Sequence, residues 1–304
     1  MTVARLFWPC ELSCCGLLHW DMSAFRATAA LLVMLGVQSG PQVRPAAPHE
    51  IDLDALARSV HATLLKEYRQ DQRYSYIEKR RDVDISKLGR VSVGPLRTFE
   101  VYPRTFGPDY KRLIEIEGKP LDPAELARRD EEHRRNQAKE AERERREPAE
   151  RRAARLKKDQ EEMEATLDDA HRVFEFRLAG RDQIDGDPVL VIDLKPRAGA
   201  RVTTREGEWM KKMEGRIWVT ETGSHIARLS LHAVEDLSIG WGVVARVEPG
   251  SGFEYVRKRI GPDWVPLRLT VEGSGRTLLF RRFSVKTVTT YTNHQRWSPQ
   301  GAAR

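Results

Sequence analysis

Two stretches in which apolar and polar residues alternate, residues 74–118 and 172–291, flank a segment that cannot belong to a sheet. A two-residue period is the mark of a β-strand with one buried face. The intervening residues 124–171 carry 13 Lys or Arg and 15 Asp or Glu. Asp122-Pro123 supplies a helix cap followed by proline at the first helical position. Glu147-Pro148 stops or kinks that helix midway. The spacing predicts two solvated helices laced by i,i+4 charge pairs. No apolar a/d repeat runs through them, so a coiled coil is not expected. Three strands alone are marginal, which makes one sheet from both strand groups the expectation, with the helices inserted outside it.

Before the first strand, Ile51, Leu53, Leu56, Val60, Leu64 and Leu65 recur close to the helical period, with Asp52 and Asp54 at the favourable end of the dipole. Strands are expected from Tyr74 through Lys79, at Leu96–Arg104 and at Tyr110–Gly118, then at 172–180 and 188–196, joined by the hairpin signal Asp185-Gly186-Asp187. A short helix is expected within Glu206–Met213. Strands then recur at 215–220, 225–236, 242–248, 252–260, 264–273, 276–285 and 286–292, with turns at Pro249-Gly250, Gly261-Pro262 and Gly273-Ser274-Gly275. The fold class is mainly β (α+β): a curved antiparallel sheet or incomplete β-barrel of about 11 strands, with an N-terminal helix and an inserted charged helical segment.

All three cysteines, Cys10, Cys14 and Cys15, precede the sheet region, so neither a disulfide framework nor a Cys-bound zinc is expected there. Ala27–Val37 is an 11-residue apolar run with Arg26 before it and Ser39-Gly40 after it. That is the pattern of a secretory signal with cleavage near Ser39. Met22 would open a conventional signal, which makes residues 1–21 an over-extended start; a retained N-terminal anchor is the competing reading. The expected organisation is a signal peptide over 1–40, a Pro-rich linker over 41–50, a single domain over 51–295 containing the helices of 123–171, and a disordered tail over 296–304.

The net charge is +7 and the pI 9.4, with the basic excess outside the charged helices; the mixed charges of those helices and the expected export argue against nucleic acid. Gly240-Trp241-Gly242 opens a G-x-G-x-x-A match, yet a strand follows it where a dinucleotide site needs a helix. Asp182, Asp185 and Asp187 lack the twelfth-position Glu of a calcium loop and read as a hairpin turn. His225 and His232 are too far apart for a zinc motif. There is neither a nucleophile elbow nor a phosphate loop, so no catalytic residue, metal or cofactor is expected.

Large apolar side chains recur along the strands and can either pack as a closed core or line a cavity. The stretches Tyr110–Ile114, Gly118–Leu121, Phe174–Leu178, Gly215–Val219 and Trp264–Arg268, with the charged helices between them, make the chain similar to the lipoprotein-sorting superfamily of LolA and LolB. The resemblance covers fold-forming positions over about 220 residues. It implies a signal sequence, an incomplete barrel, helices acting as a lid, and the binding of an acyl chain or lipoprotein in the periplasm without catalysis. The inserted helices depart from it in being longer and far more charged, and none of the chain's arginines aligns with a lid-gating one. The expected ligand groove is Trp218, Leu229, Leu231, Trp241, Leu267 and Leu269. The protein would be peripheral to a membrane at most. The alternative is an envelope scaffold or signalling module that takes a protein partner on the charged helices.

Overall fold

The computed structural model describes residues 51–69, 74–86, 88, 90–103, 109–239, 245–277 and 280–297. The expected signal peptide, the linker and Trp241 lie outside them. Helix α1 spans Leu53–Arg69, and Asp52 caps it by accepting from the Ala55 amide at 2.9 Å. Strands β1 (Tyr74–Ile85), β2 (Val91–Tyr102), β3 (Tyr110–Ile116) and the two-residue β4 (Lys119–Pro120) follow. Helices α2 (Pro123–Arg146) and α3 (Ala149–Val173) come next, broken at Glu147-Pro148 as the proline dictates. Asp122 caps α2 through the Ala124 amide at 2.8 Å.

The second half begins with β5 (Phe174–Ile184) and β6 (Asp187–Pro196), then α4 (Arg205–Met210), β7 (Met213–Thr220) and β8 (Ile226–Ala233). It ends with β9 (Leu237–Ile239), β10 (Ala245–Val247), β11 (Gly252–Ile260), β12 (Asp263–Thr277) and β13 (Arg281–Arg296). The β5–β6 hairpin turns on Asp185 and Gly186, both at positive φ, the geometry that tight hairpins require.

The 13 strands among the described residues form one antiparallel sheet in the order β4-β3-β2-β1-β13-β12-β11-β8-β7-β6-β5, with β9 and β10 attached beside β12. The order is a meander that runs through its own termini, since β13 lies against β1. It stays open between β4 and β5, and α2 and α3 occupy that break in the chain. β4 and β9 are too short to show alternation in the sequence. The expected turn at Gly273-Ser274-Gly275 is instead paired strand within β12, opposite Phe283–Val285 of β13. A Cβ at Gly275 would lie 2.1 Å from the Arg246 carbonyl oxygen, so the glycine is there to let β10 approach. The chain turns just ahead of β13, at Phe280.

The two faces of the sheet have separate cores. On the inner face, Leu64 of α1 and Met163 and Leu167 of α3 pack with Leu190, Ile192, Val219, Leu229, Leu231, Phe253 and Leu269. On the outer face, Trp218, Val189, Val191, Ala227 and Trp264 form a smaller cluster. The inserted helices were expected to lie wholly outside the packing. Residues 163–173 do not: Met163, Leu167 and Val173 are core, because the C-terminal turns of α3 lead directly into β5.

Candidate binding face under helix α1

Helix α1 has two stripes at a spacing of four. Leu56, Val60 and Leu64 face the inner core, and Ser59, Thr63 and Glu67 face the β7–β8 turn. Of the apolar stripe only Leu64 is fully buried; Ile51, Leu53, Leu56, Val60 and Leu65 pack against the core while remaining half-buried. The polar stripe is specific. Ser59 Oγ pairs with Ser224 Oγ at 2.7 Å, and Thr63 donates to the Gly223 carbonyl at 3.0 Å. Glu67 takes His225 Nδ1 at 2.7 Å and Arg257 Nη2 at 3.0 Å.

Arg257 is buried and also donates to the Ile226 and Trp264 carbonyls, so its guanidinium is held from several sides. Burial pushes the Glu67 carboxyl up, but the His225 hydrogen bond and the Arg257 charge pull it down further and leave it below its ordinary value. Its contribution to holding α1 is therefore complete above the ordinary value of 4.5 and is lost as the pH falls through the lower folded value. Hydrogen exchange of the α1 amides should quicken in that acid range, and Glu67→Gln should quicken it at neutral pH and remove the acid step. An acid step that survives in Glu67→Gln would assign the event to another group.

A second carboxylate, fully buried, fixes α3. Asp169 accepts from the Thr203 and Thr204 amides at 2.8 and 2.7 Å, from Thr204 Oγ1 at 2.8 Å and from Arg172 at 2.9 Å. Burial raises its carboxyl and those hydrogen bonds lower it further, to a net value below the usual one. A third, Glu78 of β1, lies on the inner face beside Tyr291 and takes Lys111 Nζ at 3.0 Å.

The six expected groove residues separate. Leu229, Leu231 and Leu269 share the inner face and are 4, 2 and 5% exposed. Side chains lining an open groove would keep far more accessible surface, so at these three positions the face is filled by protein. Trp218 does not join them. It alternates with Ile217 and Val219 and so points to the outer face, with the Arg228 guanidinium 4.4 Å from its ring. Leu267 is the extra residue of a β-bulge, because Val256 pairs with Arg268 and Arg257 with Pro266. The bulge breaks the alternation with Leu269, and Leu267 belongs to none of the apolar clusters. Trp241 is outside the described residues. Glu67, Ser59, Thr63 and Arg257 were missed. The four-residue spacing of Ser59, Thr63 and Glu67 beside the apolar stripe was the available signal.

His225 and His232, weighed as a zinc pair, are engaged separately, His225 by Glu67 and His232 by Glu214 at 3.3 Å. Among the described residues no three His, Cys, Asp or Glu side chains converge as a metal site. No helix among them is long and apolar enough to cross a membrane.

Fold and site together define an open antiparallel sheet whose apolar inner face is roofed by an amphipathic helix with polar fastenings. Solved structures to which the chain is similar include a DUF1329 family protein from Desulfovibrio piger, 11% identical, covering 81% of this chain and 93% of that one at a TM-score of 0.30. A LolA superfamily protein from Nitrosomonas europaea is 9% identical over 81% of this chain and 96% of that one, at a TM-score of 0.27. A domain assigned to outer membrane lipoprotein sorting, from Vibrio parahaemolyticus, is 10% identical over 80% and 94%, at 0.30. No family model and no curated protein matches the chain. At these TM-scores the likeness carries no argument about what the chain binds, and the functional reading rests on its own residues.

Proposed function

We propose that the protein is a non-catalytic binder of an acyl chain or lipid-modified protein, exported to the periplasm, with α1 as the removable cover of the binding face. The observation that carries this reading is the way α1 is held. Its apolar stripe is mostly half-buried, while its polar stripe is fastened at Ser59, Thr63 and Glu67. Swinging α1 outward would withdraw Leu64 from the cluster that holds Leu229, Leu231 and Leu269 and open one side of it, without breaking a strand pairing. An acyl chain of about 14–16 carbons, buried at about 0.8 kcal/mol per CH₂, gains on the order of 11–13 kcal/mol gross. That is enough to replace the apolar contacts of one helix and leave reversible binding after ordering costs.

A covalent lock tests it. Ser59 and Ser224 touch through their hydroxyls, which places them within reach of a disulfide. In a chain with Cys10, Cys14 and Cys15 changed to Ser, the pair Ser59→Cys and Ser224→Cys should bind a fluorescent fatty acid when reduced. Oxidation should weaken that binding by about tenfold or more, the factor set by about 1.4 kcal/mol. Equal binding in both states would sink the role of α1.

A second reading has its own observation. The three inner-face leucines are already packed, and α2 with the first half of α3 stands exposed. That arrangement suits a scaffold whose protein partner sits on the charged helices, and it predicts no fatty-acid binding in either redox state.

A further inference from the structure

The inserted helices are nearly neutral as a whole, but their charges are sorted by position. Residues 124–142 hold five basic and six acidic side chains, and residues 159–171 hold six acidic ones and no Lys or Arg. Between them, residues 143–158, the junction of α2 and α3, hold eight basic and three acidic. The balanced and acidic flanks are where the helices meet the body: Asp130 bonds Arg112 of β3, and Asp169 bonds the turn before α4. The basic junction is the part farthest along both helices from those attachments. At about 1.5 Å per residue, the length of α2 from Asp130 to its end is on the order of 24 Å.

The first turns of α3 are also sided. Ala153 and Leu156 fall on one strip of the helix, and Leu156 is 54% exposed although it is among the few large apolar residues of the segment. Lys157 flanks that strip, and Arg151, Arg155 and Lys158 fill the opposite side. Arg155 pairs with half-buried Glu147 at 3.0 Å, while Lys157 and Lys158 pair with exposed Glu161 and Glu162 at 3.6 and 3.7 Å and remain 77 and 74% exposed. Such pairs are worth little and exchange readily for another anion.

We propose that this junction docks the protein on an anionic lipid surface. The cations supply attraction to the headgroups, and Leu156 supplies the apolar residue that dips between them. Leu156 decides between possible anionic partners, because a nucleic-acid backbone gives an exposed leucine nothing to bury against. Docking at the junction is separate from cargo binding under α1, so either can fail without the other.

The test uses the full chain and vesicles. It should bind vesicles of phosphatidylglycerol and phosphatidylcholine and bind pure phosphatidylcholine far more weakly. The preference should fade at salt on the order of 0.5 M, where screening shortens the reach of exposed charges. The variant Arg151→Gln, Arg155→Gln, Lys157→Gln, Lys158→Gln should bind the anionic vesicles up to about a thousandfold more weakly, as four lost surface cations imply. Its thermal melt should match the parent, since all four side chains are on exposed helix. Leu156→Ser alone should weaken binding severalfold with every charge kept. Anionic vesicles bound equally by the fourfold variant would overturn the proposal. So would equal binding of the parent to both vesicle types, which would place the attachment in an apolar segment elsewhere. Tighter binding to single-stranded DNA than to anionic vesicles would overturn lipid as the occupant.

Discussion

Leu231→Glu should abolish the cooperative melt of the sheet. Leu231 is 2% exposed in β8, opposite Phe253 of β11 and Gly215 of β7, inside the cluster that α1 and α3 cover. An unpaired carboxylate there costs several kcal/mol beyond the lost leucine packing. That is a large share of the roughly 5–15 kcal/mol that holds a typical domain together. Leu178→Glu, on β5 where the side chain is 40% exposed, should melt within a few degrees of the parent. The comparison separates two states of the inner face. A folded Leu231→Glu protein that has lost fatty-acid binding would mean that α1 lies off the face for much of the time in solution. An unfolded one means that the leucine is core first and cargo contact only after α1 moves.

Asp169→Ala should cost about 3–5 kcal/mol, the usual range when one member of a buried charged network is removed. The alanine leaves the Thr203 and Thr204 amides and the Thr204 hydroxyl without their acceptor and detaches α3 from the start of α4. Gly207→Ala should damage the same junction from the other side, because its Cβ would lie 2.6 Å from the Asp169 carboxylate. The acid limb carries a sign. The folded value of Asp169 lies below its ordinary 3.8, so its contribution is complete above 3.8 and disappears as the pH falls through the folded value. The stability of Asp169→Ala should therefore vary less with pH in that range than the parent's. A denaturant melt showing a loss under about 1 kcal/mol would remove Asp169 from its structural role.

What the sequence disclosed was set by how locally each signal acts. Pro123 and Pro148 constrain their own backbone, so α2 begins and ends, and α3 begins, where those residues predict. Asp185-Gly186 closes its hairpin for the same reason. The inner row of Leu229 and Leu231 follows from alternation within one strand. Alternation does not say which face of one strand meets which face of the next, and Trp218 was grouped with the wrong side for that reason. A bulge moves a residue without a mark of its own, as at Leu267. The fastening of α1 was the least legible feature. Glu67 is 158 residues from His225 and 190 from Arg257, and each alone reads as an ordinary surface charge.

The pairing of β1 with β13 has a consequence in time. Tyr74 lies opposite Arg296, so the first strand of the sheet is joined by the last residues of the last one. While β13 is missing, β1–β4 have no strand linking them to β12 and the rest. A chain emerging from the ribosome therefore carries two incomplete half-sheets with open edges until residues 281–296 have emerged. Contacts of such long sequence separation form slowly, and unpaired edges stick to one another in the interval. The two halves can join only once β13 has been made, which leaves a window in which a chaperone can hold the chain.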